Sequence, residues 1–257
     1  MPVFKRTRPA PLAGGRKAAR VTKRLASGAE RVLDWRPMKA LSDALLYGIL
    51  DLGYTAAPDL ERTAERMLAG GVDVLQLRAK GAEEAEIEAL ANRLSALTES
   101  AGVPLIVNDF PQLVPSVGAQ GAHVGQEDFP VADARWRAGR ALAGEVAPPL
   151  IGKSTHSFEQ AVAAEAEGAD YIGFGPLFAT PTKPGRTAIG LGEIRRVHEA
   201  VRIPVFCIGG IKLENLETVL AAGARRVVIV SELLQAADIA GYARRVKAVL
   251  RAAASPE

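Results

Sequence analysis

Eight times from about residue 45 onward, a short run of aliphatic and β-branched residues gives way to a longer stretch with helical spacing. No other feature restricts the fold as much. The runs are LYGILD (46–51), VLQLR (74–78), LIVND (105–109), AHVG (122–125), LIGKST (150–155), YIGFG (171–175), PVFCIG (204–209) and RVVIV (226–230). Ala-, Leu- and Glu-rich segments such as 82–100 and 238–253 fill the gaps as helices. Strands that alternate with helices must run parallel, each return being made by a crossover. Eight such units in about 210 residues predict a single-domain (β/α)8 TIM barrel over residues 45–257 rather than an open, doubly wound sheet. In that fold the working residues gather where the strands end.

The preceding residues, 1–44, read as a basic extension without regular structure. Residues 1–40 hold 11 Lys or Arg against Glu30 and Asp34, a local balance of +9 within an overall +3, so the rest of the chain carries about −6. An acidic body behind a basic, Pro/Gly-containing head argues for an appended tail rather than a nucleic-acid-binding domain. A targeting segment and an anion-binding arm are the other readings of the same residues. Cys207 is the single cysteine, which excludes an internal disulfide and points to a reduced, cytoplasmic setting. No apolar run approaches the roughly 20 residues of a membrane span.

The strand ends carry the chemistry. In QLRAK, Gln76, Arg78 and Lys80 alternate and so share one face of an extended chain, and two cations at a barrel mouth call for an anion. Asn108 and Asp109 end the third run, and Asp128 follows the fourth in GQED. Carboxylates on neighbouring strands can share Mg2+, which takes one or two of them and completes its shell with water and phosphate oxygens; taken singly, each Asp reads as a helix cap, and the cations of QLRAK beside them turn the reading to a metal-diphosphate site. The fifth run leads into Ser154, Thr155 and His156, where Ser154 suits a hydrogen bond to substrate and His156 suits a helix start or acid/base work. Gly209 and Gly210 after the seventh run allow a close approach to the backbone, and Val230 and Ser231 end the eighth; loops after strands seven and eight of a barrel frequently bind phosphate.

The stretch GPLFATPTKPG (175–185) is too rich in Pro and Gly for a helix or central strand, so Thr180, Thr182 and Lys183 stand on a loop between the two anion sites. Two phosphorylated small molecules joined above the barrel, one of them losing diphosphate, would use every one of these features.

The ordered set QLRAK, ND, GQED, GKSTHS, GADYIGFGPLFATPTK, IGGI and VVIVS resembles the thiamine phosphate synthase family over roughly residues 46–250. The resemblance implies a (β/α)8 transferase that joins 4-amino-2-methyl-5-hydroxymethylpyrimidine diphosphate to 4-methyl-5-(2-phosphoethyl)thiazole, or its carboxylate, with Mg2+ as cofactor. It assigns Gln76, Arg78, Lys80, Asn108, Ser154 and Lys183 to the pyrimidine substrate and Asp109 and Asp128 to the metal. Thr180, Thr182, Gly210, Val230 and Ser231 fall to the thiazole phosphate. Arg78, Lys80, Ser154 and Lys183 are the expected catalytic set. Small-molecule substrates, with no nucleic acid or membrane and with a homo-oligomer open, complete the expectation.

Ala79 stands where the family usually shows an acidic residue, prolines follow Asp109, and LDLGYT is an unusual end to the first run, but no motif residue is lost. A related thiazole tautomerase would use His156 as acid/base and typically lacks the metal and diphosphate residues. A non-catalytic phosphate-binding barrel would need no metal pair. Retention of Lys80, Asp109, Asp128 and Lys183 favours the synthase.

Overall fold

The computed structural model describes residues 19–24, 30–35, 38–139, 148–180, 185 and 187–254. Two strands, β1 (Ala19–Arg24) and β2 (Glu30–Trp35), pair antiparallel ahead of the main body. This pair lies inside the extension expected to lack regular structure; the other residues up to 37 lie outside the described ones.

Eight further strands form a closed parallel barrel: β3 (Leu46–Asp51), β4 (Val74–Arg78), β5 (Leu105–Asn108), β6 (Gly121–Val124), β7 (Leu150–Thr155), β8 (Tyr171–Phe174), β9 (Val205–Cys207) and β10 (Val227–Ile229). They neighbour one another in chain order, and β10 closes on β3 through Val227 and Leu46. The expected (β/α)8 barrel is therefore present. Its outer helices include α1 (Leu60–Ala69), α2 (Glu84–Ala101), α3 (Val114–Val117), α4 (Val131–Gly139), α5 (Phe158–Ala166), α6 (Ile194–Ala200), α7 (Leu216–Ala221), α8 (Ser231–Leu234) and α9 (Ile239–Ala254).

Helical spacing explains why these helices stay on the barrel. α1 buries Leu60, Thr63, Ala64 and Met67, and α2 buries Ile87, Leu90, Ala91 and Leu94, the i, i+3, i+4, i+7 stripe of a one-sided helix. α2 ends on Gly102 at φ 67°, a left-handed conformation that glycine adopts without the Cβ penalty. Strands covered on one side by helices and on the other by the barrel interior read as continuous apolar runs, and all six residues of β3 are buried.

Period-two alternation divides the apolar residues into two cores. One fills the layer between strands and helices. The other fills the barrel, with Tyr47 and Ile49 from β3, Val74 from β4, Ile106 from β5, Tyr171 from β8, Phe206 from β9 and Val228 from β10. Inside it the Tyr47 and Tyr171 rings meet Phe206 edge-on, with centroids 5.3 and 5.8 Å apart.

The amino ends of the strands are clamped by charge. Asp73, one residue before β4 and 1% exposed, accepts the Leu45 and Leu46 N–H groups at 2.8 and 3.0 Å and ion-pairs with Lys39 and with Lys247 of α9. Burial pushes its carboxyl upward, but the hydrogen bonds from Lys247, Lys39 and the two backbone groups outweigh it and hold the carboxyl below its usual range. Lys247 also donates to Gly71 O at 2.9 Å. One carboxylate thereby ties the approach to the barrel, its second strand and its last helix together.

Candidate active site

A cavity opens among the carboxyl ends of the strands, where the fold places its chemistry. Of the residues expected at the site, Gln76, Arg78, Asn108, Ser154, Thr180, Gly210, Val230 and Ser231 all line it, as does His156. Thr182 and Lys183 lie outside the described residues.

On one side stand the charged groups. Arg78 at the end of β4 pairs with Asp51 at the end of β3, whose carboxylate also accepts the Gly53 N–H at 2.9 Å. The Asp51 side chain is 2% exposed and that of Arg78 13%, so the guanidinium is held in place before any substrate arrives. Lys80, two residues on, ion-pairs with Asp109. Asp109 has a φ of 63°, an uncommon conformation for a residue other than glycine, and it turns the chain out of β5 just as its N–H bonds to His123 O at 2.9 Å.

Asp128 lies close to Asp109 and accepts the Gly125 N–H at 2.6 Å. Burial raises the Asp109 carboxyl and the Lys80 hydrogen bond opposes it; with the Asp128 charge pushing it up further, Asp109 stands above its usual range. Asp128 goes the other way: against the burial cost, the Gly125 N–H, the shared hydrogen bond with Asp109 and the charges of Lys80 and Lys153 hold it low. A partly buried carboxylate, Asp109, with the exposed carboxylate of Asp128 against it forms a pair whose repulsion a divalent cation would relieve. Among the described residues no group of three or more His, Cys, Asp or Glu side chains is placed to hold a metal alone. The pair fits Mg2+, which leaves most of its shell to water and substrate oxygens, and it does not fit an all-protein metal cage. Asp109 does not act as the N-cap of the turn after β5, which Phe110 starts.

On the opposite side lie Gly209 and Gly210, at φ 99° and 65°. Sequence reading gave them the task of letting a ligand near the backbone. Both line the cavity, and the chain's own loop after β8 also packs against them: an added Cβ would meet Pro176 Cβ at 2.4 Å from Gly209 and Phe178 Cβ at 2.7 Å from Gly210. That loop is pinned there by Leu177 N–H to Ile208 O at 2.8 Å and Phe178 N–H to Gly209 O at 3.1 Å. The two glycines thus admit the segment that carries Thr180 to the cavity rim. Asn215 adds a hydrogen bond from Nδ2 to Gly210 O at 2.9 Å.

After β7, the residue that starts α5 is Ser157, whose hydroxyl accepts the Gln160 N–H at 3.2 Å, and not His156. The His156 ring donates from Nδ1 to Gly175 O, which ties the β7 end to the loop after β8.

Sequence reading missed the cavity floor. His123 of β6 reaches Ser154 Oγ through Nε2 at 3.0 Å and Tyr171 OH through Nδ1 at 3.3 Å; Tyr171 OH meets Tyr47 OH at 3.0 Å, and Gln76 Nε2 donates to Tyr47 OH at 2.8 Å. The available signal was polarity: His123 is a lone titratable group in the AHV run, and inward positions of a barrel strand alternate.

A closed (β/α)8 barrel with cations and paired carboxylates on one rim, and a glycine-bordered loop on the other, defines an enzyme that handles phosphorylated small molecules. The family model described as thiamine monophosphate synthase matches residues 46–233, and the chain belongs to that family of enzymes. It is 46% identical over 196 residues to the thiamine-phosphate synthase of Thermus thermophilus, covering 76% of this chain and 90% of that protein. With the thiamine-phosphate synthase of Deinococcus radiodurans it shares 41% identity over 222 residues, or 83% of this chain and 75% of the other. Among solved structures, the thiamine phosphate pyrophosphorylase from Pyrococcus furiosus superposes with a TM-score of 0.73 at 30% identity, covering 84% of this chain and 99% of that one.

Proposed function

We propose that the protein joins 4-amino-2-methyl-5-hydroxymethylpyrimidine diphosphate to 4-methyl-5-(2-phosphoethyl)thiazole, or its carboxylate, giving thiamine phosphate and diphosphate. One observation carries this reading: Arg78 and Asn108, the chain neighbours of the Lys80–Asp109 ion pair that Asp128 adjoins, line the same cavity as Gly210, Val230 and Ser231. A binder of a single phosphate would need only the second of these.

The pyrimidine lies on the cavity floor against Gln76, Asn108 and Ser154, with its diphosphate towards Arg78 and Lys80. Asp109 and Asp128 would hold Mg2+, which would supply positive charge to stabilise the departing diphosphate. Asp51 pre-orients Arg78, so that cation needs little reorganisation as charge builds on the departing diphosphate, the condition under which fixed charges contribute most to rate. Lys80, held by Asp109 until substrate enters, and Lys183 complete the stabilisation of the leaving group.

Electron release from the aminopyrimidine supports positive charge on its methylene once diphosphate leaves, so no protein nucleophile is required. The thiazole, anchored through its phosphate by Thr180, Thr182, Gly210, Val230 and Ser231, presents its ring nitrogen to that carbon, and the orientation itself lowers the barrier. The thiazole tautomerase reading, with His156 as acid/base, leaves the metal pair and Lys80 without a task. We place the protein in the cytoplasm, acting on small molecules with no nucleic-acid or membrane partner; among the described residues no helix is long and apolar enough to cross a membrane.

The test is direct. Pyrimidine diphosphate, thiazole phosphate and Mg2+ are incubated with the protein and thiamine phosphate is followed. Mg2+-dependent product is the expected result, and absence of product at every Mg2+ concentration would overturn the proposal.

A further inference from the structure

The polar groups on the cavity floor form one line: Gln76 Nε2, Tyr47 OH, Tyr171 OH, His123 and Ser154 Oγ, joined at 2.8, 3.0, 3.3 and 3.0 Å. The mechanism above uses only its two ends. Its middle has a definite direction, set by counting protons. An amide nitrogen only donates, and a phenol has one proton to give. Tyr47, accepting from Gln76, gives its proton to Tyr171, and Tyr171 gives its own to His123 Nδ1. The imidazole proton then sits on Nε2 and is donated to Ser154 Oγ, whose own hydroxyl proton points elsewhere. Burial raises both phenols, Tyr171 well above 10.0, so both keep their protons.

The packing is built around this line. A Cβ on Gly152 would stand 2.1 Å from Tyr171 Cζ and 2.5 Å from His123 Nδ1, so the two rings occupy space that only glycine leaves at that position of β7. Tyr47 and Tyr171 are 2% and 0% exposed.

We infer that Tyr47, Tyr171 and His123 act as positioning residues that lock the hydrogen-bond polarity of the cavity floor. With Nε2 committed to Tyr47, Gln76 offers Oε1 as an acceptor, and Ser154, accepting from His123, offers its hydroxyl as a donor. An acceptor from β4 and a donor from β7, at the two ends of the line, select a heteroaromatic ring that carries an exocyclic amine and an unprotonated ring nitrogen. A ring with an oxo group next to a ring N–H presents the opposite pattern and is discriminated against. The inference deepens the proposed function and rests on its placement of the pyrimidine between Gln76 and Ser154.

Nitrogen-15 NMR of the imidazoles in the full-length protein tests the lock without substrate, the His123 signals being assigned by their loss in His123→Gln. The expected result is a neutral ring protonated at Nε2. In Tyr171→Phe the tautomer should shift to a mixture. Calorimetry on the same variant should show the preference for the aminopyrimidine monophosphate over its 4-oxo counterpart falling about tenfold, the equilibrium effect of one net hydrogen bond. KM for the pyrimidine diphosphate should rise more than kcat falls. Tyr47→Phe breaks the line at another joint and should act in the same direction, which keeps the test open if one variant folds poorly. A wild-type ring protonated at Nδ1, or an imidazolium, would overturn the lock, as would an unchanged tautomer and preference in both variants. The tautomer decides the matter even if the wild-type protein makes no thiamine phosphate, a result that would count against the proposed function alone.

Discussion

Replacing Asp73 by Ala should destabilise the protein severely while sparing the chemistry of each folded molecule. The carboxylate is 1% exposed and satisfies two backbone N–H groups and two ammonium groups. Lys39 is one-third exposed and can return to water, but the Lys247 side chain is 5% exposed and would be left with Gly71 O as its acceptor. Removing one partner of a buried pair costs about 3–5 kcal/mol, which for a domain of this size lowers Tm by about 6–20 °C. Asp73 and Arg78 sit at opposite ends of β4, five residues or about 16 Å apart, so turnover at 25 °C per folded molecule should not change. Thermal and urea unfolding, read beside kcat/KM, separate the two effects. Adding Lys247→Met should recover a large share of the loss, because the cost lies in the orphaned charge. The same carboxylate predicts a pH dependence. Its folded pKa is depressed, so its stabilisation is complete above the ordinary value of 3.8 and is lost as pH falls through the lower folded value. A single variant that unfolds like wild type, or one that keeps its stability and loses turnover, would refute the reasoning.

Asp109→Ala should lower turnover by about two orders of magnitude or more while thiazole phosphate still binds by calorimetry; equal loss of both would show that the pair serves no metal-diphosphate site. Asp51→Asn should weaken use of the pyrimidine diphosphate about tenfold in kcat/KM by freeing Arg78, with unfolding little affected relative to Asp73→Ala. Lys183→Ala should weaken use of the pyrimidine diphosphate and Thr182→Ala should mainly raise the thiazole phosphate requirement, both read from two-substrate kinetics. Gly152→Ala, which pushes a methyl into Tyr171 and His123, should cost about 1–3 kcal/mol in unfolding, and Tyr171→Val in the same chain should return part of it.

How much of this was legible follows from where each residue sits. β3, β4 and β7 run over the residues that the sequence runs delimit, because each run is mainly apolar up to its polar end. β9 is shorter, Val205–Cys207 rather than 204–209, since the Ile208 and Gly209 carbonyls turn to the loop after β8. The rim residues Arg78, Lys80, Asp109 and Asp128 could be found because charge at the end of an apolar run has few structural uses. Tyr47, His123 and Tyr171 could not be grouped, since they come from β3, β6 and β8 and meet only once the barrel closes. The role of Gly209 and Gly210 was half legible: a close approach was foreseen, but that it is made by Pro176 and Phe178 depends on contacts between separate loops.

Seen along its length, β4 joins two kinds of dependence in one short strand. A change at Asp73 should alter how many folded molecules a cell keeps, because a few kcal/mol shifts steady-state abundance, whereas under the proposed function a change at Arg78 should alter what each molecule does. A growth assay that reads only thiamine supply would score both as the same defect, and measuring protein level beside flux would place each substitution at its own end of the strand.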